Sequence, residues 1–338
     1  MPNDVVLAGI IVVALAVYTL TGGADFGGGV LDALARGPRA AEQRKAIAHA
    51  IGPIWEANHV WLILVVVLLF ATFPPAFSAI STALHIPLTA MLIGIVLRGT
   101  AFVFRAYDSQ APDVQKRWTR VFSTASVLTP IAIGMSAGAV ASGQIRWSQT
   151  QGVTSGFFAG WTTPFAVFVG LFLLAQATFL AAVYLCVETQ GELREDFRTR
   201  ALGAAVAVGM TAFTTLFFAR TDAPLIFEGL TATGAAAALH VVTGLAAVGA
   251  IVSLVKRRYA VARVLAGAQV VLVLAGWALA QYPFIIAPDL TFAAAVTSPN
   301  VTTPVLIALA AGSVLLLPAF WYLYRVFKAD PNSSPAPK

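Results

Sequence analysis

Residues 50–73 read AIGPIWEANHVWLILVVVLLFATF. A helix needs about 20 mostly apolar residues to cross the hydrocarbon core of a bilayer, and this stretch has that length. Its one acidic side chain is Glu56, and it carries no lysine or arginine. An ionisable group at membrane depth costs on the order of 3 kcal/mol, so such residues tend to be functional. The stretch therefore predicts a membrane-spanning helix that carries a functional carboxylate.

The rest of the chain has the same apolar character. Hydrophobic residues make up 59% of the 338 residues and charged residues 11%, whereas soluble domains have about 45–50% and about 25%. We predict an all-α integral membrane protein, with residues 1–328 as a single domain and the Pro- and Ser-rich residues 329–338 as a disordered cytoplasmic tail. Nine transmembrane helices are predicted, at 50–73 and at 5–23, 76–104, 121–141, 163–187, 201–219, 235–255, 260–280 and 303–324.

The distribution of Lys and Arg predicts the orientation of these helices. When Arg263, at the start of the eighth predicted span, is counted with the connection before it, eighteen of the 21 basic residues fall in every second connection and in the C-terminal tail, two fall in the alternate connections, and Arg98 lies inside the third span. Basic residues accumulate on the cytoplasmic side, which places the N-terminus outside and the C-terminus in the cytoplasm. The net charge of +6 is therefore explained by the basic residues of the cytoplasmic connections, and we expect no nucleic-acid partner.

Few residues could bind a metal or a haem. The single cysteine, Cys186, excludes a disulfide framework and the CxxCH attachment of c-type haem. Among the four histidines, His59 and His85 could in principle ligate one haem from two helices, with hydrogen bonding as the alternative role. We predict no metal site and no ligated haem in this chain. Any redox chemistry should then lie in another chain.

Asp25 lies in a glycine-rich segment, residues 22–29, at the end of the first span. Glycine either lets a neighbouring backbone approach closely or breaks the helix. Asp25 is then either a polar helix end beside a flexible connection or a buried carboxylate that pairs with a cation or relays protons.

His49, Glu56 and His59 have the spacing i, i+7, i+10, which puts them on one broad face of a continuous helix. A carboxylate between two imidazoles could pass protons from the cytoplasm towards the membrane interior. An ion pair that only fixes packing is the alternative.

Arg98 is a buried cation within the third span, seven residues before Arg105, which can extend to the membrane surface. The Arg98 guanidinium needs a carboxylate or several carbonyl groups, and Asp25 and Glu56 are the expected carboxylates. Its role is either a structural ion pair or electrostatic tuning of a nearby cofactor. The last outer loop, residues 281–302, is apolar and is expected to lie against lipid or a partner chain.

Together these motifs resemble subunit II of the cytochrome bd family of quinol oxidases, including its cyanide-insensitive branch. The block in the second span, Gly-Pro-x-Trp-[Asp/Glu]-x-Asn-x-Val-Trp, is the most specific. The blocks occur in order from the first span to the loop before the ninth, so the resemblance covers nearly the whole chain. They are GADFG (23–27), IGPIWEANHVWL (51–62), LFATFP (69–74), LRG (97–99), TQGEL (189–193) and YPF (282–284).

The resemblance implies nine transmembrane helices in two four-helix bundles plus one peripheral helix. It also implies a pseudosymmetric partner, subunit I, which carries the haems (b and d, or b only). Such a complex oxidises quinol, takes protons from the cytoplasm and reduces dioxygen to water in the bacterial cytoplasmic (inner) membrane. Some members bind a structural quinone in this subunit, and small accessory subunits are compatible with the resemblance.

The resemblance also assigns roles to individual residues. Glu56 belongs to a proton route near the subunit interface, to which the spacing of the residues adds His49 and His59, with Asp25 nearby. Arg98 and Asp25 support the haem site across the interface, and Trp61 lies by an oxygen access path. This chain departs from the best-known pattern in having Glu rather than Asp at position 56, His59 in place of an amide, and short outer loops.

Two other classes remain open at this point. A proton-coupled secondary transporter would use Asp25, Glu56 and Arg98 as its coupling site. Transporters of this kind usually have interrupted spans in corresponding positions of two halves, whereas here the glycine-rich segment follows only the first span. The third class is a single-chain haem protein.

Overall fold

The computed structural model describes residues 2–52, 55–108 and 111–328. The residues of the predicted disordered tail, 329–338, lie outside these ranges. Within the ranges the chain forms helices joined by short loops and two small hairpins. The helices are α1 (Asn3–Ala33), α2 (Ala40–Ile51), α3 (Trp55–Asn58), α4 (Val60–Thr72), α5 (Pro74–Ala83), α6 (His85–Tyr107), α7 (Pro112–Ala141), α8 (Pro164–Glu188), α9 (Gly191–Asp222), α10 (Pro224–Thr231), α11 (Gly234–Val255), α12 (Tyr259–Gln281), α13 (Phe292–Ala295) and α14 (Pro299–Lys328). The strands are β1 (Trp147–Ser148), β2 (Gly152–Val153), β3 (Phe284–Ile286) and β4 (Leu290–Thr291).

The prediction of nine membrane-spanning segments is confirmed for the described part of the chain. Nine segments are long and apolar enough to cross a bilayer. They are α1, α3 together with α4, α6, α7, α8, α9, α11, α12 and α14. The chain is therefore a multi-pass α-helical membrane protein.

Two predicted spans are not continuous helices. In the second, α2 ends at Ile51 with Gly52 outside the helix, and α3 and α4 are separated at His59. Gly52 is a poor helix former and Pro53 has no N–H to donate, so the sequence disfavours a helix through this point. The expected helical position of Pro53 itself lies outside the described residues. The third span is interrupted at Leu84, where Pro87 has no N–H for the carbonyl group of Ala83.

The glycine-rich segment of α1 is helical throughout, so its glycines serve close packing and not a helix break. A Cβ atom on Gly27 would overlap the backbone carbonyl of Ala177 in α8. A Cβ atom on Gly29 would overlap the Ser126 side chain in α7. Two neighbouring helices therefore pack directly on the backbone of α1 around Asp25.

Helix α8 lies at the centre of the packing, against α1, α7, α9 and α12. Helix α6 packs on α7, and α11 packs on α12. Helix α14 contacts α1 and α4, and no residue of its most apolar stretch is buried inside the described chain. Apolar side chains of α1, α7, α8, α9 and α12 form the largest buried cluster.

Part of the loop between α12 and α14 packs on its own chain, so the prediction that this loop lies against lipid or a partner is wrong for Ile285 and Ile286, whereas Tyr282 is exposed. Strands β3 and β4 pair in an antiparallel hairpin that buries Ile285, Ile286 and Leu290. These side chains join a core that includes Phe73 and Leu84. The apolar loop sequence therefore reflects burial within the subunit.

An ion pair joins the loop between α7 and α8 to the loop between α12 and α14. Arg146 donates from Nε and Nη2 to the two carboxylate oxygens of Asp289 at 2.7 and 2.8 Å, and the N–H of Trp147 donates to the same carboxylate at 2.9 Å. Partial burial acts to raise the pKa of Asp289, but the hydrogen bonds from Arg146 and Trp147 outweigh it and lower that pKa. The carboxylate is thus held in its charged form.

Candidate functional site

Arg98 is the largest fully buried side chain of the molecule's described part, with 2% of its surface exposed. Its Nη2 donates to the backbone carbonyl of Asp25 at 3.0 Å. Its guanidinium carbon lies 5.1 Å from the ring centre of Phe26 and 5.5 Å from that of Phe122. Stacking on aromatic rings stabilises a desolvated cation. Its Nε has no hydrogen-bond partner among the described residues.

Asp25 is the predicted neighbour of Arg98, but the hydrogen bond comes from its main chain and not from its carboxylate. The carboxylate lies close enough to act on the Arg98 charge. Its Oδ2 accepts a 2.7 Å hydrogen bond from Nδ2 of Asn58, which is 1% exposed. The hydroxyl of Tyr324 in turn donates to Oδ1 of Asn58 at 2.9 Å. Three helices, α1, α3 and α14, are therefore joined by one buried chain of hydrogen bonds.

Glu56 lies on the opposite side of α3 from this chain. The helix is a single turn, and its Glu56 is exposed while its Asn58 is buried. His49 is also exposed, on α2. His49 lies on α2 and Glu56 on α3, and residues 53 and 54 between them are outside the described ranges, so a common face for His49, Glu56 and His59 stays a prediction.

His59 is half-buried at the junction of α3 and α4. Its Nδ1 lies 3.4 Å from the hydroxyl of Tyr18, and its ring packs against Phe26 and Trp55 at 6.2 Å. Its Nε2 is buried and makes no hydrogen bond within the described ranges. The structure thus places His59 beside Asp25 and Arg98, on the inner side of the α3–α4 junction.

His59 and His85 have different neighbours among the described residues. His59 packs among Tyr18, Phe26 and Trp55. His85 instead bonds to the carbonyl of Thr82 and packs on Phe157 in an outer loop. Across residues 2–52, 55–108 and 111–328, no group of three or more His, Cys, Asp or Glu side chains could hold a metal ion.

Trp61 is half-buried on α4, with its ring centre 5.4 Å from that of Phe320 on α14. Its Nε1 is buried and has no hydrogen-bond partner in the described part of the chain. Together with the Tyr324 hydroxyl, this contact fixes the otherwise exposed helix α14 against the site.

Asp32 is a site residue that the sequence analysis missed. It is 1% exposed, and Nη2 of Arg105 donates to its Oδ1 at 3.1 Å, while Arg44 lies 4.0 Å from Oδ2. A signal for it was present: Asp32 follows Asp25 by seven residues, as Arg105 follows Arg98. Because the spacing of seven residues is the same on two parallel helices, it predicts two Asp–Arg pairs, Asp25 with Arg98 and Asp32 with Arg105. Tyr324, by contrast, has no such signal.

The fold and this cluster define a multi-pass membrane protein with ionisable groups held between its helices. Residues 3–327 match the sequence model of the family described as cytochrome bd terminal oxidase subunit II. The chain belongs to this family.

Individual relatives agree with this assignment. The chain is 32% identical to cytochrome bd ubiquinol oxidase subunit 2 of Bacillus subtilis (strain 168) over 93 residues, which cover 28% of this chain and 27% of that relative. It is 26% identical to cytochrome bd-I ubiquinol oxidase subunit 2 of Escherichia coli (strain K12) over 209 residues, which cover 60% of this chain and 52% of the relative. The aligned parts thus span about a quarter and about half of these curated relatives.

The fold is also similar to a solved structure. A chain of the bd oxidase from Geobacillus thermodenitrificans superposes with a TM-score of 0.79 at 19% identity. The superposition covers 98% of this chain and 100% of the other.

Proposed function

We propose that this chain is the second, non-haem-ligating subunit of a bd-type terminal quinol oxidase in the bacterial cytoplasmic membrane. The complex oxidises quinol and reduces dioxygen to water, and subunit I carries the haems, b and d or b only. This chain contributes stability, a cytoplasmic proton path and oxygen access. Family membership supports the reaction. The observation that carries the role of the chain is the exposed Glu56 carboxylate on a membrane span, backed by the buried Asp25–Asn58–Tyr324 chain.

The helix packing supports two four-helix bundles within a single domain, residues 1–328. The first bundle contains α1, α3 with α4, α6 and α7, and the second contains α8, α9, α11 and α12. Helix α14 is the peripheral helix. The bias of Lys and Arg supports an outer N-terminus and a cytoplasmic C-terminus, with residues 329–338 as a disordered tail.

The exposed face of α3, α4 and α6 is the surface proposed for subunit I. Glu56 lies on it, and a carboxylate facing hydrocarbon is costly unless another polar group covers it. The neighbouring exposed side chains on α4 are apolar, among them Ile63, Val67 and Phe70. On α6 they include Ile93 and Val96. An apolar surface around one carboxylate fits a membrane partner that supplies a group for Glu56.

The proton path runs from the cytoplasmic side through His49 and Glu56 towards the partner. His59 and Asp25 lie behind Glu56, on the buried side of α3. The short helix supports this arrangement, because it presents Glu56 to the partner and Asn58 to Asp25. The path needs no haem or metal ligand from this chain.

Arg98 and Asp25 support the haem site of subunit I by fixing the helices that face it. Arg98 on α6 bonds to the main chain of α1, and the Asp25 carboxylate bonds to α3. Trp61 is proposed to line oxygen access, beside Phe320. The proposal also includes a structural quinone in this subunit and small accessory subunits. No described residue is assigned to either.

Purification in a mild detergent tests this function. We expect a haem-bearing membrane chain to co-purify with this one and the complex to oxidise quinol with oxygen uptake. Isolation of this chain without a haem protein would contradict the proposal. A Soret band from this polypeptide alone would indicate a single-chain haem protein instead, and substrate-driven proton uptake without oxygen consumption would indicate a transporter.

A further inference from the structure

A cavity of about 150 Å³ opens beside Asp25. It lies among α1, α2, α3, α8, α12 and α14, on the side of α1 away from the exposed Glu56. The polar groups that line it are the hydroxyls of Thr21, Tyr184 and Tyr324, the Asn58 amide, the carboxylates of Asp25 and Glu188, and the Arg263 guanidinium. The Glu56 side chain is not part of this lining.

The size and lining of the cavity favour water as its occupant. A water needs on the order of 10–30 Å³ and two to four polar partners, so the cavity has room for several. Sites for drug-sized organic ligands occupy about 300–1,000 Å³, which is larger than this cavity. An apolar gas path would not have two carboxylates and a guanidinium in its wall.

The charged groups of the cavity run from exposed to buried. Arg263 is exposed on α12 and lies 5.2 Å from the ring centre of Tyr184. Glu188 is half-buried at the C-terminal end of α8, where the chain turns into a short loop. Asp25, at the inner end, is 6% exposed. Tyr184 is held by a 3.2 Å hydrogen bond to the carbonyl of Leu20.

We propose that this cavity is a second proton inlet, in which water carries protons from Glu188 to Asp25. The step is a proton transfer alone: Glu188 takes a proton from cytoplasmic water, cavity water conducts it, and the Asp25 carboxylate receives it. Glu188 returns to its charged form when it gives up the proton, and Asp25 does so when it passes the proton through His59 and Glu56, the other members of the proposed path, towards subunit I. Asn58 and Tyr324 position the Asp25 carboxylate by their hydrogen bonds. The inlet rests on the proposed function, since the proton is consumed at the oxygen-reducing site of subunit I.

Thiol labelling tests whether the cavity is wet. In a Cys186→Ser background, Thr21→Cys places a thiol in the cavity wall, and Ala14→Cys places one in a dry part of the same helix, 1% exposed. We expect a small cationic thiol reagent to label Thr21→Cys in the whole complex from the cytoplasmic side, with little labelling of Ala14→Cys. Equal, negligible labelling of both thiols would overturn the inlet.

Turnover of the complex tests the proton transfer. Glu188→Gln should lower quinol oxidase turnover roughly tenfold, and Glu188→Asp should restore most of it, with haem spectra unchanged in both. Glu42→Gln, an exposed carboxylate on α2 outside the cavity, is the matched control and should keep full turnover. Turnover of Glu188→Gln equal to that of the control would overturn the inlet. If Glu56→Gln still slowed turnover in that case, the proposed function would stand without the inlet. If neither Glu188→Gln nor Glu56→Gln slowed turnover, the proposed proton path of this chain would be contradicted as well.

Discussion

The pairs Asp25–Arg98 and Asp32–Arg105 join the same two helices, seven residues apart, and are built differently. At the second pair the guanidinium of Arg105 donates directly to the Asp32 carboxylate at 3.1 Å. At the first pair Arg98 donates to the main-chain carbonyl of Asp25, and the carboxylate of Asp25 is bonded by Asn58. A direct hydrogen bond from a guanidinium holds a carboxylate in its charged form, so we propose a structural role for Asp32. For Asp25 the proposed role is in proton transfer.

Removing the buried cation of the first pair should have the largest effect. Arg98→Leu leaves the buried Asp25 carboxylate without its neighbouring cation, at a cost of about 3–5 kcal/mol. We expect a low yield of the complex and altered haem absorbance, with a smaller spectral change for Asp25→Asn, which keeps the shape of the side chain. An unchanged absorbance spectrum in both purified variants would leave the pair only a packing role.

Breaking the second pair should destabilise the protein without a specific effect on turnover. Asp32→Ala leaves Arg105 uncompensated and should lower the free energy of unfolding by about 3 kcal/mol, since Arg105 can turn partly towards water. The Arg44 side chain is 38% exposed and lies 4.0 Å from Asp32. Arg44→Ala should therefore lower the free energy of unfolding by less than about 1 kcal/mol. Thermal inactivation of the complex measures both. A large loss of turnover per intact Asp32→Ala complex would contradict the division of roles.

The ion pair between Arg146 and Asp289 lies in loops and provides a comparison outside the membrane. The lowered pKa of Asp289 means that its contribution to stability is present above the unfolded value of about 3.9 and is lost as pH falls through the folded pKa. Wild type should exceed Asp289→Asn in thermal stability at pH 7, by less than about 1 kcal/mol because Arg146 is largely exposed. This difference should vanish in acid. A difference that grew on acidification would contradict the assignment.

Much of the fold could be predicted because the membrane imposes it. The number of spans follows from apolar length, and the nearness of Asp25 and Arg98 follows from the rarity of charge in the bilayer. What could not be predicted depended on packing. The common face of His49 and Glu56 depends on residues 53 and 54, which lie outside the described ranges. The burial of Ile286 depends on a hairpin that folds back on its own chain, which apolar composition cannot distinguish from a surface facing lipid.

Within the candidate site, it was easier to predict which residues take part than which hydrogen bonds they form. Arg98 was expected to bond a carboxylate, and it bonds a main-chain carbonyl instead. Tyr324 comes from a helix with almost no buried surface, so no periodicity in α14 marks it. Asp32 could have been found from the shared spacing of seven residues.

The central claim is that this chain carries protons to the oxygen-reducing site of its partner, and Glu56→Gln tests it most directly. The substitution keeps the size of the side chain and removes its titration. Turnover of the purified complex should fall roughly tenfold or more, with haem absorbance and subunit composition as in wild type. Glu42→Gln, an exposed carboxylate away from the proposed path, should keep wild-type turnover. Normal turnover in Glu56→Gln would contradict the proton path.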